Sequence, residues 1–348
     1  MSHPEGPVPS GRRPGSRAVA KLAGVSQSTV SRALRDDPRI SAGTRARIQA
    51  IARQLSYAPP PADDTPRRRT VGVVVSDVTN PFYPELLDSL QTELGFLGLR
   101  ALLFNQRTST TTTATLLDQI EQTSVDGLIL TSVATEWALP EPIASGRIPT
   151  VLLNRLTHDT PIDVVTADNV EGGRLAAGHL TALGHRRLAV VSGPQGISTH
   201  RDRRRGFEEF CAGLPGVTLF DTDTPFDGYS HATGSQAVHR LLRDHPGVTG
   251  VFCTNDLLAF GALSAAKELG VSVPGRLSVL GFDDIEMSGW SVHALSTIHH
   301  PFRDMAKLAA QRLAALLSAP GTLTPRHVRL PVGVIARSTT STPEEGLS

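Results

Sequence analysis

The chain has 348 residues and carries 34 Lys and Arg against 33 Asp and Glu, which gives a formal net charge of +1. This length is typical of two or three domains with a sizeable core. Two cysteines are too few for a disulfide framework, and no run approaches the ~18 apolar residues of a membrane span. Because the first ten residues also do not resemble a signal peptide, we expect a cytoplasmic protein with no membrane partner.

Charge is unevenly distributed along the chain. Residues 11–69 contain thirteen Lys and Arg against four Asp, whereas residues 70–348 contain 21 basic and 28 acidic residues. A basic head on a mildly acidic body predicts a polyanionic partner at the head. A solvated charged tail is the alternative, but the charges lie among apolar residues at helical spacing. Residues 1–14 are predicted to form a disordered tail, and residues 341–348 form a second tail.

The stretch VAKLAGVSQSTVSRAL at residues 19–34 predicts two short helices joined by a tight turn, with Ser26 as the N-cap of the second helix. Helical spacing gives that second helix two different sides. The inward side holds Thr29, Val30, Ala33 and Leu34, and the outward side holds Gln27, Ser28, Ser31 and Arg32. A surface helix can show such a split without a function. Amide, hydroxyl and guanidinium groups can also read base edges, so the stretch predicts a helix-turn-helix DNA-binding unit.

Further apolar faces complete this helical domain, which is predicted to span residues 15–58. The first helix is expected to bury Val19, Leu22 and Ala23. Ser41 is expected to cap a third helix that docks an apolar stripe on the same core. That stripe consists of Ile48, Ile51, Ala52 and Leu55. Three arginines lie mostly off the stripe and either contact phosphates or are solvated, namely Arg45, Arg47 and Arg53.

From Thr70 the pattern changes to short apolar runs that alternate with helical stretches. The runs are TVGVVVS, RALLF, GLILTS, TVLLN, VVTA, RLAVVS, GVFCT and LSVLGF. The helical stretches include 82–97, 111–123, 171–183, 201–213, 231–244 and 256–269. This alternation indicates parallel sheets covered on both faces, with too many strands for one compact sheet. The predicted fold is a small all-α helix-turn-helix domain followed by an α/β domain with parallel sheets.

A series of motifs extends over residues 18–340. It begins with AVAKLAGVSQSTVSRAL and continues with DVTNPFYPELL, VDGLIL, GHRRLAVVSGP, CTNDLLAFGAL, VPGRLSVLGFDDI and ARST. In this order the motifs resemble the LacI/GalR family of bacterial transcription regulators, the lactose- and purine-repressor type. The resemblance implies an effector-binding and dimerisation domain at 70–340, with two lobes like those of periplasmic sugar-binding proteins. It places lobe 1 at about 70–166 and 297–326, and lobe 2 at about 167–296 and 327–340.

The resemblance implies a sequence-specific regulator of the repressor type that binds a palindromic operator in double-stranded DNA as a homodimer. The implied DNA-binding residues are Ser26, Gln27, Ser28, Thr29, Ser31 and Arg32. A small-molecule effector, a sugar or a related metabolite, is expected in the cleft between the lobes, from which it would modulate the affinity for DNA.

Two other classes of protein are weighed against this one. A solute-binding protein for transport fits the two-lobed body, but the basic helical head and the lack of a signal peptide argue against it. An enzyme is disfavoured because the sequence has no G-x-G-x-x-G, P-loop, G-x-S-x-G or H-E-x-x-H motif and no apparent nucleophile–base pair. No cofactor and no metal site are predicted.

Residues 59–69 form a Pro- and Arg-rich linker that departs from the family. Family members usually have a short hinge helix here, which forms on operator DNA and inserts an apolar side chain, often Leu, into the minor groove. The four prolines lack an amide donor and disfavour helix in the preceding residue, so we expect no standard hinge helix. The arginines at 67–69 either enter a narrow minor groove instead or belong to a solvated spacer that attracts phosphates.

Effector-binding candidates follow the strands, where the cleft of a two-lobed α/β protein lies. Asp77, Phe82 and Tyr83 follow the first apolar run, and the family uses this loop for an aromatic face and a polar contact to the ligand. Asn154 follows TVLL at a position where the family often has Asp and then Arg. Arg155 retains the second of those residues.

Further candidates come from the second half of the chain. The resemblance matches Arg203 to the family's ligand-binding arginine, and Thr199 lies in the same segment. Tyr229 has the spacing of the family's stacking aromatic, with Phe226 as the competing choice. Asp256 matches the family's ligand carboxylate.

The chemistry of these candidates suits a sugar. A carboxylate can accept hydrogen bonds from two adjacent hydroxyls, Arg and Asn can donate in fixed directions, and an aromatic ring can cover a C–H face. A nucleobase could use the same groups. For each of these residues, taken singly, a purely structural role is the alternative. Asp283 and Asp284 in GFDDI match a family motif that we interpret as partly structural.

Overall fold

The computed structural model describes residues 16–34, 37, 39–55, 57, 69–105, 118–120, 122–134, 136, 138–157, 161–221, 228–319 and 321–344. The chain divides into two compact units, residues 1–68 and 69–348. Some predicted features lie outside the described residues: the tail at 1–14, the linker at 59–68, the start of the helix at 111–123, and Phe226.

The first unit contains three short helices. They are α1 (Ser16–Ala23), α2 (Gln27–Leu34) and α3 (Ala42–Gln54). The Ser26 hydroxyl accepts a hydrogen bond from the Thr29 amide at 3.1 Å, and the Ser41 hydroxyl accepts one from the Thr44 amide at 3.3 Å. Both predicted N-caps are therefore confirmed, and each fixes the start of a helix.

A small apolar core holds these helices together. Its buried members are Val19, Ala20, Ala23, Val30, Ala33, Ile48 and Ala52. Leu22 is 62% exposed, so its predicted place on the inner face of α1 is wrong. Ala20 lies on the inner face instead. Leu22 comes two residues later in the helix, so its side chain points to nearly the opposite face.

The second unit is built from twelve strands among the described residues. The strands are β1 (Thr70–Val75), β2 (Arg100–Asn105), β3 (Gly127–Leu130), β4 (Thr150–Leu153), β5 (Asp163–Ala167), β6 (Arg187–Val191), β7 (Thr218–Asp221), β8 (Gly250–Cys253), β9 (Ser278–Asp283), β10 (Ser296–His299), β11 (His327–Leu330) and β12 (Gly333–Ile335). The helices are α4 (Phe82–Phe96), α5 (Glu141–Ala144), α6 (Asn169–Ala182), α7 (Ser198–Ala212), α8 (His231–Asp244), α9 (Asp256–Glu268) and α10 (Phe302–Ser318), with a 3₁₀ turn at Glu286–Gly289.

These strands form two six-stranded sheets, one in each lobe. The first sheet has the order β11-β5-β4-β3-β1-β2, and all its pairs are parallel. The second has the order β12-β10-β9-β8-β6-β7 and is parallel except for the β10–β12 pair. All residues of β8 and β9 are buried, as expected for strands covered on both faces. The predicted two-lobed α/β fold is confirmed.

The chain passes between the lobes after β5, after β10 and after β11. Strand β10 pairs with β9 in the second sheet, and β11 pairs with β5 in the first. The expected lobe boundaries at 297 and 327 are therefore a few residues too early, because they assign most of β10 to lobe 1 and β11 to lobe 2. Strand β11 is a short edge strand whose partner β5 lies far earlier in the chain, and β10 is a short strand one position from the edge of its sheet.

Glycines bring two pairs of helices into close contact in the second lobe. A Cβ atom on Gly206 in α7 would lie 2.0 Å from the Val170 carbonyl oxygen of α6. A Cβ atom on Gly261 in α9 would lie 2.0 Å from the His231 carbonyl oxygen of α8. These contacts are between backbones, so no side-chain rearrangement can make room. The first of them fixes the position of α7, which carries two of the predicted effector residues.

Candidate functional site

The outward side of α2 is free of packing contacts with the core of the first unit. Gln27, Ser28, Ser31 and Arg32 are exposed, whereas Val30 and Ala33 are fully buried. The Ser26 hydroxyl lies 2.7 Å from the Ser28 hydroxyl and 2.8 Å from the Thr29 hydroxyl, so these three polar groups are linked at the helix start. The helix thus presents an amide and a guanidinium to the outside on a rigid, capped frame.

One of the three basic residues of α3 has an inward role. Arg45 Nη2 donates to the Asp37 carbonyl at 2.9 Å and to the Ile40 carbonyl at 3.2 Å. These hydrogen bonds hold the loop before α3 against that helix. Arg47 and Arg53 are exposed. Both alternatives, phosphate contact and solvation, therefore stay open for Arg47 and Arg53, while Arg45 stabilises the loop.

A cavity lies where the carboxyl ends of strands from both lobes meet, as the fold class predicts. Its lining residues are Asn80, Phe82, Tyr83, Asn154, Arg155, Thr199, His200, Arg203, Tyr229, Asn255 and Asp283. Six of the eight predicted effector residues are among them. The volume is about 20 Å³, enough for about one water molecule. A larger ligand therefore needs the lobes to open before it can enter.

Arg203 is the most firmly held cation of the cavity. It is 2% exposed, and its Nε donates to Asn169 Oδ1 at 2.8 Å. Its Nη1 donates to the Thr254 carbonyl at 2.7 Å and lies 2.9 Å from Asp283 Oδ1. The guanidinium carbon lies 3.6 Å from the centre of the Phe282 ring. These contacts fix the direction in which the guanidinium can donate.

Two cavity residues adopt left-handed backbone conformations without being glycine. Asn154, directly after β4, has φ +77°, and Asp283, at the end of β9, has φ +120°. Such conformations cost about 1–3 kcal/mol each and are concentrated at functional sites. Both residues line the cavity. Burial raises the pKa of Asp283 to about 6, although the Arg203 guanidinium opposes that shift.

Two predicted effector residues do not line the cavity. Asp77 accepts hydrogen bonds from the Thr79 amide at 2.9 Å and the Thr79 hydroxyl at 2.7 Å, which shapes its own loop. Asp256 is 1% exposed, and all of its carboxylate contacts are structural. It accepts from the Thr297 hydroxyl at 2.6 Å, the Ser288 hydroxyl at 2.7 Å and the Ile285 amide at 3.1 Å. The assignment of Asp256 as the cleft carboxylate is therefore wrong, and Asp283 occupies that position.

Other cavity residues escaped the sequence analysis. Asn255 caps α9 through the Leu258 amide at 2.9 Å and donates to the Tyr229 carbonyl at 3.3 Å, which positions that aromatic residue. His200 Nδ1 lies 2.8 Å from the Thr254 hydroxyl, and its ring centre lies 5.3 Å from that of Tyr229. Burial and the Arg203 charge hold the pKa of His200 well below its usual range, so this ring is neutral.

Hydrogen bonds join the lobes across the cavity region. The Leu156 amide donates to Ser198 Oγ at 2.9 Å, and the Glu286 amide donates to Glu85 Oε1 at 2.8 Å. His300 lies in the crossover after β10, with its Nε2 3.3 Å from Asn154 Oδ1. These contacts hold the cleft closed.

Asp256 is expected to make stability depend on pH. Burial and the nearby Asp283 charge raise the pKa of Asp256 to about 8, so the folded state keeps a proton that the unfolded chain has lost. The free energy of unfolding should therefore fall by about 1 kcal/mol per pH unit between about pH 7 and pH 8. Urea unfolding at each pH measures the slope, which should disappear in Asp256→Asn. Equal slopes in both proteins would contradict the shift.

The comparisons with known proteins decide the family. The model of bacterial regulatory proteins of the lacI family matches residues 17–60, and the model of a periplasmic binding protein-like domain matches residues 177–340. The transcriptional regulator DegA of Bacillus subtilis (strain 168) is 30% identical over 331 residues, which cover 93% of this chain and 97% of DegA. The chain belongs to the lacI family. Its function is therefore transcriptional regulation and not catalysis, as predicted.

Solved structures of lacI-family proteins share the fold. The lac repressor dimer bound to operator and the anti-inducer ONPF is 26% identical, with a TM-score of 0.70, and the match covers 93% of this chain and 98% of that one. The transcriptional regulator CelR in complex with cellobiose is 27% identical, with a TM-score of 0.68, and the match covers 94% and 100% of the two chains. The lacI-family architecture thus extends over nearly the whole sequence.

The described part of the chain contains neither a candidate membrane span nor a candidate metal-binding cluster. None of its helices is both long and apolar enough to cross a bilayer. The same residues contain no group of three or more His, Cys, Asp or Glu placed to hold a metal ion.

Proposed function

We propose that this lacI-family chain is a homodimeric repressor-type regulator whose affinity for a palindromic operator is set by a small polyhydroxylated effector in the cavity. One observation carries the effector half of the proposal. Six side chains predicted from the sequence line one small cavity, which also contains the Arg203–Asp283 pair. CelR, which has the same fold, is described as a complex with cellobiose, and this supports a sugar-type effector.

In the DNA half of the proposal, α2 reads bases in the major groove. Gln27, Ser28 and Arg32 contact base edges, with Arg32 suited to a guanine, while Thr29 and Ser31 lie near the DNA backbone. A single helix-turn-helix unit buries little surface, so two half-sites are needed for useful affinity. The lac repressor was solved as a dimer on its operator, which supports the dimeric arrangement.

Within the cavity, each polar group has a role that suits a sugar. Arg203 donates in a fixed direction, and Asp283 can accept from two adjacent hydroxyls when it is ionised. Tyr229 can cover the C–H face of a ring. Phe82 contributes less ring surface, because its ring makes contacts with Tyr83, His300 and Phe302 at centre distances of 5.1–5.3 Å.

Lobe closure gives the effector a means of acting on DNA binding. The hydrogen bonds of Leu156 to Ser198 and of Glu286 to Glu85 exist only when the lobes are together. An effector that binds the closed form more tightly shifts the population toward it by that difference in affinity. The coupling is reciprocal, so the operator must change the affinity for the effector by the same factor.

The DNA half is tested by Arg32→Ala. We expect this change to weaken binding to an operator duplex by about 1–3 kcal/mol and to relax base preference at one position in each half-site. Fluorescence anisotropy with specific and scrambled duplexes at fixed salt measures both effects. Arg47→Ala, an exposed arginine on α3, is the matched control and should weaken both duplexes alike. Equal loss on the two duplexes for Arg32→Ala would contradict base readout.

The effector half is tested by thermal unfolding against neutral sugars, sugar acids, sugar phosphates and nucleobases. A ligand at about 100 times its Kd adds about 2.7 kcal/mol to the state that binds it. The ligand found in this way should no longer stabilise Asp283→Asn, because the amide NH2 donates where the second carboxylate oxygen would accept, and the negative charge is lost. Asp77→Asn, whose carboxylate lies outside the cavity, should respond like the wild type. If Asp283→Asn still responded to the ligand and Asp77→Asn did not, the effector site would lie at the Asp77 loop instead.

A further inference from the structure

The cavity has more buried positive charge than negative charge. Arg203 and Arg155 both line it and are at most 7% exposed. Among the described lining residues Asp283 is the one carboxylate, and it lies 2.9 Å from Arg203. Asp256 contributes no compensating group, because its carboxylate points to Thr297, Ser288 and Ile285.

Arg155 has no acidic partner in the part of the chain that the structure describes. No Asp or Glu oxygen there lies within 4.0 Å of its guanidinium, and its Nε is buried without a hydrogen-bond partner. Although burial lowers the pKa of Arg155, the phenols of Tyr83 and Tyr229 raise it above its usual value, so the residue stays cationic in the cavity. Its guanidinium carbon lies 5.9 Å from the Tyr229 ring centre. The adjacent side chain is Asn154, a neutral amide whose Oδ1 lies 3.3 Å from His300.

The surrounding groups respond to this excess charge. The pKa of His200 is held well below its usual range by burial first, and then by the charges of Arg203 and Arg155. Burial lowers the pKa of Arg203, and the nearby Arg155 charge lowers it further. Asp283 forms its close ion pair with Arg203 and feels the Arg155 charge only at longer range, so one carboxylate serves two buried cations. An incoming anion would balance the second cation and could accept from the unsatisfied Nε of Arg155.

We propose that the effector carries an anionic group, a carboxylate or a phosphate, which pairs with Arg155 while its hydroxyls contact Arg203 and Asp283. This inference rests on the proposed function of the cavity and narrows its ligand from sugars in general to acidic sugars. Arg155 follows strand β4 of lobe 1, and Tyr229 precedes α8 of lobe 2. An anion between them would contact both lobes and favour closure.

Matched pairs of compounds test the charge directly. Isothermal titration compares D-glucuronate with D-glucose, and D-ribose 5-phosphate with D-ribose, at constant ionic strength. The wild type should bind at least one acidic member about tenfold or more tightly than its neutral partner, the range expected for one charge-assisted hydrogen bond. The pair that shows the preference identifies the group as a carboxylate or a phosphate. Inorganic phosphate should stabilise the wild type in a saturable way.

Two variants show whether the preference comes from Arg155. Arg155→Gln removes the cation, and Asn154→Asp adds a carboxylate at the preceding cavity-lining position with almost no change in volume. Both should lose the preference for the acidic member and the response to inorganic phosphate. Thermal unfolding of each variant without ligand verifies that it is folded, and Asn154→Asp keeps the test meaningful where Arg155→Gln does not fold.

Several results would overturn the inference. These are tighter binding of a neutral member, an unchanged preference in both variants, or a wild type that binds none of the four compounds and no inorganic phosphate. Failure of the proposed function is separate. If neutral sugars bind here and change operator affinity, that function stands and only the anionic group is wrong. If acidic sugars bind but operator affinity stays constant, the anionic site stands and the regulatory role fails.

Discussion

Replacing Arg203 by alanine is expected to lower the free energy of unfolding by about 3–5 kcal/mol, the range for removing one partner of a buried ion pair. The change leaves Asp283 buried without its counter-charge and removes donors from Asn169 Oδ1 and the Thr254 carbonyl. It should also abolish the response to any effector. Urea unfolding followed by circular dichroism at pH 7.5 measures the stability.

The neighbouring Arg204 is the matched control for this experiment. It also carries an ion pair, with Glu208 at 2.6 Å, but both side chains are partly exposed. Exposed pairs contribute about 0–1 kcal/mol, so Arg204→Ala should have a small effect. A similar loss in the two variants would show that Arg203 acts only through the general stability of α7. Combining Arg203→Met with Asp283→Asn should recover part of the loss, because neither member of the ion pair is then left buried without the other.

Replacing Gly206 by alanine should destabilise the second lobe by about 3 kcal/mol, at the upper end of the usual range for overpacking. The new Cβ would lie 2.0 Å from the Val170 carbonyl oxygen, so α6 and α7 would have to move apart. Thermal and urea unfolding both report this loss.

Gly213 at the end of the same helix provides the control for the Gly206 experiment. Its φ is −79°, and the nearest atom to a new Cβ there is 3.5 Å away. Gly213→Ala should therefore be neutral or stabilising by about 0.5 kcal/mol, since alanine restricts the unfolded chain. If Gly206→Ala were equally well tolerated, the close contact of the two helices would not exist in solution.

The fold and most of the cavity could be predicted from the sequence, for identifiable reasons. The alternation of apolar runs with helices determines parallel sheets, and the carboxyl ends of such strands meet at one edge. Any polar residue just after a strand is therefore a sound candidate. That reasoning found Asn154, whereas Arg203 and its neighbour Thr199 were assigned through the resemblance to the family. The two caps Ser26 and Ser41 follow from equally local chemistry.

The choice between the two aspartates could not be made in this way. Asp256 follows the buried strand β8 by three residues and Asp283 is the last residue of the buried strand β9, so the local pattern does not separate them. Asp256 is turned into the lobe by Ser288 and Thr297, which lie 32 and 41 residues further along the chain. Asp283 lines the cavity with a left-handed backbone conformation that no residue pattern predicts. Both effects depend on the tertiary structure.

The central claim, that this chain reads a two-fold symmetric operator through α2, is tested most directly by selection from a pool of random DNA duplexes. The purified full-length protein is used at fixed salt, because non-specific binding depends strongly on salt. We predict enrichment of one palindrome, with its half-sites centred on the same face of the duplex, and in Arg32→Ala a weaker enrichment with relaxed preference at one position of each half-site. Enrichment of no sequence, or of an asymmetric site that Arg32→Ala selects equally well, would contradict the account.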